Sequence, residues 1–496
     1  MGISSKASVA IAIVALTAGC ASAPCPEDSA SADGQIIESH DHRGNTLTRK
    51  VAGAGQVAWV YARAVYENPV NRPVSSAASL ASYALKSTGG LLRRVAIGTV
   101  QMPALDGDIP NISLAEPMDV DAFEKTLDRV TGTRTDFGRI KFLVDGDEYF
   151  GRLMETIENA EKSVDIRTFI FDNDDFAVAM ADELKERAEE VRVRVMVDSI
   201  GNVLGTQADA ESLPEGYHPP LSMNLYLEQE SDVKVRKFAN PWMITSDHTK
   251  TTIIDEKIAF VGGMNIGREY RYDWHDMMME VTGPVVDQLQ FESDKAWAHG
   301  GLLGDFARAF RFLRGKKANA DKDGYPVRIL QTSNFDSDIH KAQLAAIQSA
   351  QSHIIIENAY FSDDRTLYEL ARARRRGVDV RVIIPSSGNH GALNASNKVT
   401  INTLLKHGIR VYEYPGMSHI KAAIFDGWIC VGSANFDKLS LKVNKELNLA
   451  TSHPETANAL LDQVFIPDLI ASREISAPVD VTMTAKLIEI AVDELL

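Results

Sequence analysis

Cysteine is scarce in this chain: its 496 residues hold three, Cys20, Cys25 and Cys430. Cys20 sits in an N-terminal leader, Cys25 in a polar stretch and Cys430 in the apolar run ICVG, where a thiol behaves as a small hydrophobe. No disulfide framework follows from such placing, so stability has to come from the core. A positive excess is lacking too. The formal charge is −16 at pH 7, which excludes gripping nucleic acid by the bulk field of the surface and leaves only a local basic cleft. HExxH, CxxC and P-loop signatures are absent, and with them the sequence basis for the chemistries they carry.

What the chain does have is one short pattern, twice. Residues 248–265 read HTKTTIIDEKIAFVGGMN and residues 419–435 read HIKAAIFDGWICVGSAN. Each copy is His-x-Lys-x4-Asp followed by Gly-[Gly/Ser]-x-Asn. The residues after each histidine are β-branched or apolar, and strand alternation puts His248 with Lys250, and His419 with Lys421, on one face. Asp255 and Asp426 fall at an odd offset, before Glu-Lys and Gly, and read as turn formers of a hairpin. The returning strands end in small residues that allow close backbone approach, then Asn265 or Asn435. Imidazole, ammonium and carboxamide together suit a phosphate.

A working histidine usually has an orienting partner on its second ring nitrogen. Asp276 follows the first copy and Glu446 the second, each opening an apolar strand at the same place in the repeat. They are the expected orienters of His248 and His419, each taken with the histidine that precedes it. The repeat extends further. IKFLVDG, a helix, VDIRTFIF, a helix and VRVRVMVD are matched by VRILQTS, a helix, HIIIENAYF, a helix and VDVRVIIP, which marks an internal duplication of an α/β unit.

At these residues the chain resembles the phospholipase D superfamily. GGMNIGREY and SANFDKLSLKVNKE look most like the bacterial cardiolipin synthase branch, and the resemblance runs from about residue 135 to the end. It implies a duplicated α/β fold of two mixed sheets flanked by helices, a pseudo-two-fold, and one shared site. It also implies a phosphohistidine intermediate with no metal or other cofactor. On that resemblance His248 is the nucleophile and His419 the acid and base. Lys250, Lys421, Asn265 and Asn435 hold the phosphate with help from the Ser433 hydroxyl, where the first copy has Gly263. The expected substrate is membrane phospholipid, with a lipid or small alcohol as acceptor and no nucleic acid. The expected activity is phosphatidyl transfer. Plain hydrolysis to phosphatidic acid is the rival, ahead of a nuclease or a non-catalytic envelope lipoprotein.

Other residues carry blander readings. His275 is expected to be an incidental neighbour of Asp276, and His299 and His390 to be solvated or near substrate. Arg372, Arg374, Arg375 and Arg376 close a helix, where positive charge suits the macrodipole.

The leader MGISSKASVAIAIVALTAGC has the form of a signal peptide, too short to span a bilayer. Thr17 to Cys20 resembles a bacterial lipobox, so residues 1–19 are expected to be removed and Cys20 lipidated. That would leave an exported bacterial lipoprotein on the periplasmic face of a membrane, more readily the outer one. Residues 20–130 form a tether and a helical extension. One or two helices, separated by Asn-Pro-Val-Asn-Arg-Pro, are expected within 54–101, placed either on the bilayer or on the core. Repeat 1 is expected at 131–314, a linker at 315–326 and repeat 2 at 327–496, ending in a packing helix, TAKLIEIAVDELL.

Overall fold

The computed structural model describes residues 107–481, except 206–209, 221, 239–244, 315–321, 334–335 and 389–390. Before them it describes Leu105 and part of residues 60–81. Seven strands in the first half are β1 (Thr135–Val144), β2 (Ser163–Thr168), β3 (Arg192–Asp198), β4 (Lys234–Phe238), β5 (Thr251–Ile254), β6 (Ile258–Gly262) and β7 (Met277–Thr282). The second half has β8 (Tyr325–Thr332), β9 (His353–Asn358), β10 (Asp379–Pro385), β11 (Arg410–Tyr414), β12 (Lys421–Phe425), β13 (Trp428–Gly432), β14 (Glu446–Thr451) and a short β15 (Arg473–Ile475).

Reading outward from the middle, the first half runs β1-β7-β6-β5-β2-β3-β4 and the second β8-β14-β13-β12-β9-β10-β11, with β15 added at the edge. The duplication inferred from sequence is therefore repeated strand for strand. The two sheets are not separate: β1 pairs antiparallel with β8, from Thr135 opposite Arg328 to Gly138 opposite Tyr325. One strand order thus crosses the seam between the halves.

Alternation along the strands decides what packs where. On β6, Ala259 and Val261 face a core shared by both halves, while Phe260 faces the first half's own helices. On β12, Ala422 and Ile424 face the shared core and Ala423 and Phe425 the second half's helices. Every residue of β2 and of β12 is buried, as strands covered on both faces require. Each half-sheet therefore has its own helices on one side and the other half on the other. The helix Val120–Thr131 precedes the first repeat yet packs Phe123 and Leu127 into the second repeat's core, with Phe123 edge-on to Trp428 at 5.4 Å.

Asp255 and Asp426 act as the sequence suggests. Both have positive φ, 57° and 54°. Asp255 accepts from the backbone N–H of Glu161, Lys162 and Ser163 at 2.7–3.0 Å. Asp426 accepts from those of Gln351, Ser352 and His353, and from Met118. Each carboxylate so ties a hairpin turn to the start of the neighbouring antiparallel strand, β2 or β9, away from the histidines. Cys430 is buried and unpaired. The terminal TAKLIEIAVDELL helix, the linker's residues 315–321 and the leader with Cys20 lie outside the described residues.

Asparagine tolerates positive φ but offers one acceptor oxygen where aspartate offers two. Asp255→Asn and Asp426→Asn are each expected to cost about 1–3 kcal/mol of stability while leaving turnover per folded molecule within about twofold. Thermal unfolding alongside activity of the folded fraction checks this.

Candidate active site

Each histidine is delivered to the middle of the molecule by a short bridge of backbone between the halves. Asp247 pairs in parallel with Lys445, and His275 with Ser418. His248 N–H donates to the Lys445 carbonyl at 2.9 Å and His419 N–H to the His275 carbonyl at 2.7 Å. Lys445 and His275 immediately precede Glu446 and Asp276. The bridges therefore set each histidine beside the carboxylate of the opposite repeat.

The side chains follow. His248 Nδ1 lies 3.0 Å from both oxygens of Glu446, and His419 Nδ1 lies 2.6 Å from Asp276 Oδ2. Each histidine thus meets one of the two carboxylates, but not the one of its own copy: Glu446 lies on His248 and Asp276 on His419. The sequence offset is the same in both repeats because the exchange is symmetrical, so it could not distinguish the two pairings. With Nδ1 held on a carboxylate in each couple, Nε2 is the nitrogen that chemistry would use.

Lys250 and Lys421 are buried beside the rings, and each ammonium donates back to the carbonyl of its own motif histidine, His248 at 2.9 Å and His419 at 2.5 Å. Burial pulls Lys250 down to about 7 and Lys421 to about 8. The same burial pushes Asp276 up to about 7 and Glu446 to about 8, against the pull of the lysines. These four groups share their protons as one set. His248 is held well below the ordinary imidazole value, first by burial and then by Lys250 and Lys421. It is neutral at pH 7, the form a nucleophile needs.

Gly263 and Ser433 occupy matching places and explain each other. A Cβ on Gly263 would collide with the Asp276 carboxylate. The Ser433 hydroxyl instead donates to Glu446 Oε2 at 2.6 Å and accepts from Leu447 N–H. Ser433 therefore fixes the carboxylate, which corrects its expected role on phosphate. Asn265 is likewise engaged: its Oδ1 accepts from Ile170 N–H at 3.1 Å and its Nδ2 donates to the Tyr270 hydroxyl at 2.7 Å. In Asn435, 7% exposed, the acceptor Oδ1 has no hydrogen-bond partner among the described residues.

Three aromatic residues of the site went unread in the sequence. Phe169 meets His248 edge-on at 4.8 Å, and its ring lies 5.2 Å from the Lys250 ammonium. Tyr270 and Trp274 flank His419 at 5.7 and 5.4 Å. Tyr270 is presented by a π-helical turn, Glu269–Asp273, a local form frequent at functional sites. The signal available was the spacing of Tyr270 and Trp274 between Asn265 and Asp276.

His275 is no incidental neighbour. It is clamped between Asp145 at 2.7 Å and Asp468 at 3.1 Å, and hydrogen bonds to them raise it to about 10 despite burial. His299 is buried rather than solvated, and His390 lies outside the described residues. Arg374, Arg375 and Arg376 donate to the carbonyls of Gly408, Leu105, Ile347 and Ala350, and Arg372 to Glu369. Arg372 and Arg376 are exposed at this helix end, whereas Arg374 is buried.

Asp276→Asn and Glu446→Gln are expected to lower kcat by about 10²- to 10⁴-fold, the range for losing a charge that orients a catalytic histidine. Histidine ¹⁵N NMR checks the crossing: Glu446→Gln should move the Nδ1 resonance of His248, and Asp276→Asn that of His419.

A family model described as "Cardiolipin synthase, PLD-like domain" matches residues 153–297 and 344–467. Cardiolipin synthase A of Pseudomonas fluorescens is 30% identical over 358 residues, 68% of this chain and 70% of that protein. Cardiolipin synthase B of Salmonella typhimurium is 29% identical over 342 residues, 65% and 78% of the two. The solved phosphatidylserine synthase of Haemophilus influenzae shares the fold, with a TM-score of 0.57 at 16% identity over 74% of this chain and 96% of that one. The doubled motif, its place at the seam and these matches agree: the chain belongs to the cardiolipin synthase-type, phospholipase D-like family of phosphodiester-transferring enzymes.

Proposed function

We propose that this protein is a phosphatidyltransferase that moves a phosphatidyl group between membrane alcohols through a covalent adduct on His248. The observation that carries the reading is the crossed pair of histidine–carboxylate couples with Lys250 and Lys421 buried between them.

In the first step the lone pair of neutral His248 Nε2 attacks phosphorus, and the bond from phosphorus to the leaving oxygen breaks. Protonated His419 gives its Nε2 proton to that oxygen, releasing an alcohol. In the second step neutral His419 takes the proton from an incoming hydroxyl, whose oxygen attacks phosphorus as the N–P bond breaks. Both histidines return to their starting states. Lys250 and Lys421 face the non-bridging oxygens, where charge gathers in both transition states. Each role is filled by a side chain, so chelators are expected to leave turnover unchanged.

Because donor departure and acceptor arrival are separate events, any well-placed hydroxyl competes with water, and a bilayer supplies lipid hydroxyls at high effective concentration. The relatives that are synthases of cardiolipin favour phosphatidylglycerol as such a lipid. Leu302, Leu303, Phe306 and Leu313, at 55–81% exposure, form an apolar surface at the helix Gly304–Arg314, suited to a lipid interface. Lipidation at Cys20 and residence on the periplasmic face complete the proposal and fit that surface. The net charge of −16 weighs against a nuclease.

Labelled phosphatidylglycerol in vesicles with the full chain should yield cardiolipin together with some phosphatidic acid. Phosphatidic acid alone, across phosphatidylglycerol, glycerol and ethanolamine acceptors, would establish a hydrolase instead. The profile of kcat/KM against pH should be narrow, with its maximum between about 7 and about 8. Rising pH strips the lysines, whose values are lowered, and falling pH neutralises the carboxylates, whose values are raised. In kcat the alkaline limb should move up, because bound phosphate favours charged lysines.

A further inference from the structure

Beside the catalytic couples lies a cavity of about 300 Å³, with Glu446 and Thr249 at one end and residues of the N-terminal extension on its far wall. Residues 67–71 and 73–81 are helical, broken at Arg72 inside the Asn-Pro-Val-Asn-Arg-Pro segment. Asp305 ties the second helix down by accepting from Val74 and Ser75 N–H at 2.7 and 2.9 Å. This part of the extension packs on the core, and it brings Arg72 into the cavity wall.

Arg72 is 7% exposed; Glu67 and Asp305 act on its charge, but its Nε and Nη1 have no hydrogen-bond partner among the described residues. An inward-facing guanidinium with open donors is costly to bury unless an anion completes it. The other walls add to the demand. Arg167 and Lys445 share the single carboxylate of Asp247, at 2.7 and 3.8 Å. Arg308 lines the cavity from the helix Gly304–Arg314. His299 is bonded to Ser75 at 3.0 Å, and burial and the surrounding cations pull it down to about 2, so it adds no compensating charge of either sign. Of the carboxylates on its wall, Glu446 already holds His248, and Glu292 is paired with Lys295 at 2.7 Å.

We propose that this cavity is an anion subsite for the phosphate of the accepting molecule, with Arg72, Lys445 and Arg308 as its donors. The inference rests on the transferase reading above. The donor's phosphate belongs between Lys250 and Lys421. An acceptor such as phosphatidylglycerol carries a second phosphate about one glycerol away from its attacking hydroxyl. A cation cluster that begins at Lys445, next to the residue orienting His248, can seat that phosphate while the hydroxyl reaches the adduct. Arg72 and Arg308 lie outside the segments matched by the family model, 153–297 and 344–467, so this wall is separate from the chemical step the family shares.

The test follows three products at once from labelled phosphatidylglycerol vesicles supplied with glycerol: cardiolipin, from an anionic acceptor; glycerol incorporated into phosphatidylglycerol, from a neutral one; and phosphatidic acid, from water. Arg72→Gln should lower cardiolipin about tenfold or more relative to the other two, as for loss of a charge-assisted bond. Arg72→Lys should restore part of it, and Arg308→Gln, an exposed change, should shift the ratio the same way. Glycerol 3-phosphate should inhibit cardiolipin formation in the wild type and lose that effect in Arg72→Gln if the site reads phosphate itself. Inhibition only by a lipid phosphate would assign it to the lipid headgroup. Unchanged product ratios in Arg72→Gln and Arg308→Gln, or an equal fall of all three products with the thermal transition intact, would overturn the subsite alone. A wild type that makes no transfer product overturns the transferase reading and the subsite with it.

Discussion

Everything in the site depends on one interaction made twice: the Nδ1 hydrogen bond from a histidine of one repeat to a carboxylate of the other. His248 and Glu446 are 198 residues apart and His419 and Asp276 143 apart. Neither repeat holds a complete couple, so the seam between the half-sheets has to form before either histidine is oriented. The parallel bridges of Asp247 with Lys445 and His275 with Ser418 are the smallest piece of structure that achieves this. The clamp of Asp145 and Asp468 on His275 keeps one of them in place.

Burial gives the two couples their chemistry. A site of this size with two ammonium groups and two carboxylates, all nearly inaccessible, would be prohibitive if any charge stood alone. Set together, each charge is offset by the others, and the cost appears as shifted proton affinities rather than as instability. A bound phosphate restores charge to the lysines at the moment they are needed. His248, which faces both lysines, is kept neutral by the same crowding.

Much of this was readable from residues. Ala259 and Val261 against Phe260, or Ala422 and Ile424 against Ala423 and Phe425, alternate as strands with two covered faces must, and the duplicated order of elements fixed the architecture. Asp255 and Asp426 were legible as turn residues because their offset from the histidine is odd. The crossing of the couples was not legible, since a symmetrical exchange leaves every spacing unchanged. The resemblance gives Ser433 and Asn265 to phosphate, and each is occupied by a neighbour that only folding brings near. Arg72 could not be seen at all: its place in the cavity depends on Asp305 holding Val74 and Ser75, and on a wall that includes Lys445, both more than 200 positions away.

The account's central claim is that a single site spans the seam, with His248 as nucleophile supported from the other repeat. A diester with a nitrophenol leaving group needs no proton from His419, so a His419→Asn variant should form the adduct and fail to resolve it. Mass spectrometry of the quenched protein should place the phosphoryl group on His248. Adding Asp276→Asn should change adduct formation little, because its partner is already gone, whereas adding Glu446→Gln should slow it severely. An adduct on another residue, or the opposite sensitivity to the two carboxylates, would contradict the crossed arrangement as the working form of the site.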